Sequence, residues 1–312
     1  MHKTILRSFG VAIAFLIAGP IAWGNRSTVG TVVELKTIPP KVERLFVPLV
    51  AEAKNKFTII NPRIDQIVEL PKDFTATLNN GTMEITAPAG DAWGYARVRA
   101  GDRELTLTFM NMVAYASVRN GLLDGYNIGK YLERPLRGLS SYEVPRGFIR
   151  LTASNRDVWV SDHYRLRDFQ CKLDGKNKFL FLRTEALLKL ELMQTELHYL
   201  GLKFGRFTIM SGYRTPYYNA LIGNETGYSR HLYGDAMDIY VDEDGDGKMD
   251  DMNRDGKVDR KDAIELLKVA EKLDKSTTWG WLKGGAGVYN ANHAHGPYVH
   301  VDTRGYVARW GL

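Results

Sequence analysis

Two short segments in the last third of the chain alternate apolar and polar side chains so strictly that they admit little besides β-strands. In Ala236-Met237-Asp238-Ile239-Tyr240-Val241 the apolar Met237, Ile239 and Val241 share one face, which leaves Asp238 on the other. In Tyr298-Val299-His300-Val301-Asp302, Val299 and Val301 turn to a core while His300 and Asp302 project together to the opposite side. Each strand therefore buries one face and offers chemistry on the other. His231 precedes the first strand, and Gly234 lets the chain reverse between His231 and Asp238.

A lone histidine is ordinarily a surface residue. Here four of the seven histidines, His231, His293, His295 and His300, fall between positions 231 and 300, and that clustering favours a metal. Three ligands of N and O type, with a fourth position left for water, are the pattern of a hydrolytic zinc centre; a closed structural site would want four.

Around these strands, Ser211-Gly212-Tyr213-Arg214-Thr215-Pro216, Asn219, Ser229-x-His231-x6-Asp238-Ile239 and His300-Val301-Asp302 follow one another in an order and spacing that resemble the zinc D-alanyl-D-alanine peptidase and murein endopeptidase family. That family shares its fold with lysostaphin-type peptidases and the hedgehog signalling domain. The resemblance covers roughly residues 146 to 312 and implies an α+β domain with a small antiparallel sheet and flanking helices. It implies one Zn²⁺ held by His231, Asp238 and His300, and peptidoglycan as partner and substrate. The bond cut, by a murein endopeptidase or a D,D- or L,D-carboxypeptidase, is left open.

Such an ion makes hydroxide available at neutral pH without a protein nucleophile, so a base must take the proton. Asp302, on the strand face of His300, fits two roles: that base, or a carboxylate that orients the ligand imidazole. His295 is the other candidate. Some relatives carry a His or an acid two or three residues before the last ligand, where this chain has Tyr298 and Pro297. Arg214 suits the carboxylates of wall peptides, because a guanidinium binds them through two parallel hydrogen bonds. By resemblance it binds substrate or stabilises the developing oxyanion; the alternative is an Arg that holds the following loop. A different functional class is also consistent, a catalytically silent zinc- and calcium-bearing wall-binding module that kept the fold and lost the base.

An acidic insertion, residues 242–262, separates the two halves of the metal motif. Numbered from Asp251 as a calcium loop, it puts Asp251, Asn253, Asp255, Asp259 and Asp262 at positions 1, 3, 5, 9 and 12, with Gly256 at the sharp turn. A loop numbered from Asp242 uses Asp242, Asp244, Asp246, Gly247 and Asp250, and Asn253 falls at its position 12, shared between both. The arrangement resembles thrombospondin type 3 repeats and dockerin loops. Nine carboxylates against five basic residues in this stretch repel one another unless a cation neutralises them, so one or two structural Ca²⁺ are expected. Position 12 lacks the bidentate Glu, which predicts affinity near ~10⁻⁴ M or tighter.

The opening of the chain reads as a secretory signal over residues 1–24: basic Lys3 and Arg7, an apolar run from Phe9 to Ala22, and small Ala22 and Gly24 flanking Trp23. It predicts a secreted or periplasmic protein with no integral membrane span once cleaved; an uncleaved anchor is the alternative. The single cysteine, Cys171, cannot form an internal disulfide and reads as a buried small apolar residue. The net charge of +6 suits anionic wall polymers, and no basic stripe with interleaved aromatics suggests nucleic acid.

Residues 25–120 read as a small β-rich domain, with hairpins at Asn79-Asn80-Gly81 and at Gly101-Asp102. Residues 121–157, with Gly125, Gly129, Pro135, Gly138 and Pro145, read as an irregular connector to a peptidase-like domain at 158–312. In that domain Thr184 is expected to cap a helix ending at Gly201, and Arg206–Met210 to form a strand that delivers Arg214. Asp262 is expected to cap a helix over 263–273.

Overall fold

The computed structural model describes residues 29–202 and 204–312. The expected signal segment, 1–24, lies outside them. Among the described residues no helix is long and apolar enough to cross a membrane.

The first part of the chain is built from β1 (Val32–Thr37), β2 (Arg44–Val50), β3 (Lys54–Asn61), β4 (Ile64–Glu69), β5 (Thr75–Asn79), β6 (Thr82–Thr86), β7 (Trp93–Ala100) and β8 (Arg103–Ala114). One sheet runs β1-β3-β6-β5. The Asn80-Gly81 turn between β5 and β6 has both residues at positive φ, 50° and 79°, in the two-residue hairpin that Asn-Gly favours. The second hairpin joins β7 and β8 through Gly101-Asp102.

A short ribbon, β9 (Leu122–Leu123) with β10 (Tyr126–Asn127), follows, and then β11 (Gly147–Leu151) and β12 (Lys178–Leu180). β11 lies inside the stretch expected to be irregular. It pairs with β8 through Gly147 and Phe148, and β12 pairs with β11, giving a sheet of order β12-β11-β8-β7-β4 with β2 parallel to β8. Gly147-Phe-Ile-Arg-Leu151 is too short to advertise a strand, and only the free edge of β8 makes it one.

The remainder consists of α1 (Thr184–Tyr199), β13 (Thr208–Ser211), α2 (Pro216–Leu221), β14 (Ala236–Tyr240), α3 (Arg260–Lys275), β15 (Gly285–Tyr289), β16 (Tyr298–Asp302) and β17 (Ala308–Trp310). The five strands form a sheet of order β13-β14-β16-β15-β17. It is antiparallel as expected except at its edge, where β17 runs parallel to β15. With several sheets and few helices, the chain is α+β.

Met237, Ile239, Val299 and Val301 are buried on one face of this sheet. α3 packs on β15 and β16 and presents Leu266, Leu267, Ala270 and Leu273, each buried Leu contributing about 1.5–3 kcal/mol. α3 begins a turn earlier than expected. Asp259 is its N-cap and Asp262 its third residue, and the two carboxylates accept one another's backbone amides in a capping box. Thr184 likewise does not cap α1. It is the first helical residue, after Arg183, and its hydroxyl donates to Phe46 O on β2 at 2.7 Å. α1 lies between β2 and α3 and is buried almost all round, so that Lys189 and Glu191 each need a partner. Lys189 donates to Asp274 Oδ1 at 3.0 Å, and Glu191 accepts from His163 Nδ1 at 2.6 Å.

Candidate metal centre

β14 and β16 lie in a register that sets Asp238 directly opposite His300. His231 comes from a single 3-10 turn, Arg230–Tyr233, that ends at Gly234 with φ at +67°. A side chain at Gly234 would also collide with Phe181 O, 2.6 Å from where its Cβ would sit. Arg230 holds this turn from behind. Its buried guanidinium forks onto both oxygens of Asp235, at 3.0 and 2.5 Å, and lies 3.9 Å over the Tyr142 ring. The amide of Arg214 donates to His231 O at 3.1 Å, tying the turn after β13 to the same point.

His231, Asp238 and His300 offer three ligand atoms that all lie within 4.8 Å of one another, and all three residues are buried. His231 Nε2 is 3.2 Å, and His300 Nδ1 3.0 Å, from Asp238 Oδ1. The outer nitrogens are already committed. His231 Nδ1 reaches Gly212 O at 2.7 Å, a partner that can only accept, so this nitrogen carries the hydrogen. His300 Nε2 reaches Asp302 Oδ2 at 3.1 Å on the same terms. When both rings are neutral, their inner nitrogens turn lone pairs toward a carboxylate oxygen. Three acceptors facing one another in a dry site repel unless a cation sits among them. Tetrahedral ligands at about 2.0–2.1 Å from zinc lie roughly 3.3 Å apart, so the residues present fit that ion.

Burial opposes charge on His300, but its hydrogen bonds to Asp238 and Asp302 raise its pKa, so a metal has to displace a proton there, whereas the other two ligands already favour their ligand forms. Burial pushes His231 down and toward the neutral form. Burial opposes the charge on Asp238, but His231 and His300 outweigh it and hold the carboxyl far below its usual range.

Asp302 stands behind His300, on the side of the ring away from Asp238. Its oxygens accept from Gly285 N at 2.8 Å, from Arg304 N and Nε at 3.0 Å and from Arg304 Nη2 at 2.5 Å, besides His300. Burial acts against this charge too, yet His300 and Arg304 depress the Asp302 pKa well below the ordinary carboxylate value. With only 1% of its surface exposed and its lone pairs taken, Asp302 has the geometry of the orienting carboxylate rather than of the base.

Arg214 arrives on the turn after β13, as expected. Its Nη2 donates to Asp238 Oδ2 at 2.5 Å and its Nε to Ser211 Oγ at 2.8 Å. His295 lies outside the buried cluster, in the loop before β16, with its ring edge-on to Tyr298 at 4.8 Å and its nitrogens near Asn292 Nδ2 and Gly296 O. His293 is exposed and takes no part in the cluster.

Four residues of this face were not singled out from the sequence as site residues. Tyr298 shares the strand face of His300, and its ring stacks on Tyr289, the residue opposite it, with centroids 4.6 Å apart. Trp310 packs on the His300 ring at 5.2 Å and donates from Nε1 to Tyr289 OH at 2.9 Å. Arg304 clamps Asp302. Gly287, opposite both His300 and Trp310, leaves the space that the indole fills, since a Cβ there would fall 2.1 Å from Trp310 Nε1. The closely spaced glycines of Gly284-Gly285-Ala286-Gly287 were the available signal.

In the acidic insertion two loops repeat one hydrogen-bond pattern. Asp242 Oδ2 accepts from Gly247 N at 3.2 Å and Asp251 Oδ2 from Gly256 N at 2.7 Å. Asp244 and Asn253 each accept from the amide two residues on, at 3.1 and 2.8 Å, and so do Asp246 and Asp255, at 2.8 and 3.1 Å. Carboxylates of Asp242, Asp244 and Asp250 come together. Asn253 does not bridge the loops through hydrogen bonds: among the described residues, its partners are Asp255 and Asp262. The Asp259 and Asp262 carboxylates are engaged in capping α3.

A family model described as Peptidase M15 matches residues 162–266, a stretch that contains Arg214, His231, Asp238 and the insertion but stops before His300. No curated protein and no solved structure matches the chain. Peptidases of family M15 are zinc-dependent, and the buried His-Asp-His cluster is what such dependence requires. The matched segment, together with the ligand triad that β16 completes, supports the M15 peptidase family for the C-terminal part of this chain.

Proposed function

We propose that this protein is a zinc metallopeptidase that hydrolyses peptide bonds in peptidoglycan stem peptides or cross-links, as a murein endopeptidase or a D,D- or L,D-carboxypeptidase. The observation that carries this reading is the convergence of His231 Nε2, Asp238 Oδ1 and His300 Nδ1, each backed by a committed hydrogen bond or ion pair. A bound zinc supplies an acidified water and a Lewis acid for the scissile carbonyl.

The chain's own groups divide the remaining work. Gly212 O and Asp302 fix the two imidazoles, and Arg214 balances the charge of Asp238 while aiming its guanidinium at the site, where a substrate carboxylate or the developing oxyanion would meet it. His295, half-buried and edge-on to Tyr298, is the remaining candidate for the base. Asp302 is a positioning residue.

We also read the insertion as a structural calcium site. Asp242 Oδ1 is buried and lacks a hydrogen-bond partner among the described residues, an arrangement that a cation would satisfy. The insertion grows directly out of β14, with Asp250 N donating to Val241 O at 2.9 Å, so calcium there would steady the strand carrying Asp238. A wall substrate implies a secreted or periplasmic location.

Purified sacculi treated with the mature protein, with and without a zinc chelator, test the proposal. Chelator-sensitive release of muropeptides, lost in His231→Ala, supports the peptidase. Protein retained on sacculi with no new products supports the silent wall-binding module instead.

A further inference from the structure

Tyr298 shares a strand face with the ligand His300, and its hydroxyl has no structural task. The residue is 8% exposed, yet among the described residues that hydroxyl takes no hydrogen-bond partner. The hydroxyl is not sealed in the core but reaches solvent, where a bound peptide could meet it.

The ring is held firmly. On β16, Tyr298 and His300 are two residues apart and project from the same face, about 7 Å apart along the strand. Tyr289 stacks on Tyr298 with ring planes within 5° of parallel, and His295 abuts it edge-on. Tyr289 itself leans toward the metal ligands, because its hydroxyl meets Trp310 Nε1, and Trp310 lies over Gly287, opposite His300. Stacking carries Tyr298 in the same direction.

We propose that Tyr298 is a catalytic residue that donates a hydrogen bond to the carbonyl oxygen of the substrate peptide as negative charge develops there, sharing the oxyanion with Arg214. The role rests on the peptidase reading above. A neutral phenol suits it: the hydroxyl donates without losing its proton, and a rigid ring needs no reorganisation when the charge appears. It also accounts for the tyrosine standing where some relatives carry a His or an acid, since a donor to the oxyanion and a base make different demands on one position.

The test compares zinc-loaded wild type with Tyr298→Phe, which keeps the stacked ring and strands no partner by removing the hydroxyl. Affinity for a phosphinate D-Ala-D-Ala analogue, whose tetrahedral anion resembles the hydrated carbonyl, is measured by calorimetry alongside zinc content and muropeptide turnover. Tyr298→Phe should retain one zinc per chain, bind the phosphinate at least ~10-fold more weakly, and lose about 10²-fold in kcat, the size of one oxyanion donor, with KM little changed. Tyr289→Phe, which removes a hydroxyl from the same stack, should lose much less. Wild-type affinity and turnover in Tyr298→Phe would overturn the assignment while leaving the peptidase standing, as would equal losses in both variants. A wild type that neither binds the phosphinate nor cleaves muropeptides would overturn both.

Discussion

Asp302 Oδ2 sits 3.1 Å from His300 Nε2, while the other nitrogen of the same ring faces Asp238 Oδ1 at 3.0 Å. One imidazole thus spans two carboxylates, one on the ligand side and one behind it. The rear carboxylate settles which nitrogen carries the hydrogen and leaves the other free for a cation.

Asp302→Asn separates the two roles open to this residue. As a positioning group, Asp302 supports metal affinity, so the variant should bind zinc about 10–100-fold more weakly in a chelator competition. Unchanged affinity with a collapsed kcat would instead make Asp302 the base.

Lys189→Met should destabilise the fold. Lys189 is buried in α1 and donates to Asp274 Oδ1, Leu282 O and Asp302 O, at 3.0, 3.3 and 3.0 Å. Breaking a buried ion pair from one side costs about 3–5 kcal/mol, moderated here because Arg309 Nη2 still reaches Asp274 Oδ2 at 2.6 Å. Denaturant unfolding reads the loss. A neutral variant would contradict the account.

His163 should make stability depend on pH. Its hydrogen bond to buried Glu191, the largest influence, raises its pKa against the opposing effect of burial. A raised folded pKa stabilises fully below the unfolded value of about 6.5 and loses that contribution as pH rises through the folded value. The thermal midpoint of wild type minus that of His163→Ala should therefore shrink as pH rises above about 6.5; a difference flat across that window would refute the linkage.

These relationships were unevenly legible in the chain. Strict alternation betrayed β14 and β16 and put Asp238, His300 and Asp302 on polar faces, because a strand's side-chain directions follow from its period alone. The Asn80-Gly81 turn was equally plain, since few dipeptides tolerate two positive φ angles. What stayed hidden was whatever depends on a neighbour distant in sequence. Asp302 could be recognised as a carboxylate beside a histidine, but not as one saturated by Arg304 and Gly285. Trp310 and Gly287 fit each other only once β17 lies parallel to β15. Thr184 looked like a cap, yet its hydroxyl serves a carbonyl 138 residues away in β2. Asp262 missed the cap by one turn because Asp259 offers the same chemistry.

Calcium should stabilise the insertion. Millimolar Ca²⁺ should raise the thermal midpoint and protect residues 242–262 from proteolysis, with half-saturation near ~10⁻⁴ M or tighter, and Asp242→Ala with Asp251→Ala should abolish both effects. A midpoint indifferent to Ca²⁺ and to chelator would leave the loops as metal-free acidic turns.

The most direct measurement is elemental analysis of the purified mature protein beside His231→Ala and His300→Ala. The account predicts one zinc per wild-type chain, retained through dialysis and lost from both variants. A wild type that holds no transition metal, or variants that hold as much zinc as it does, would contradict it.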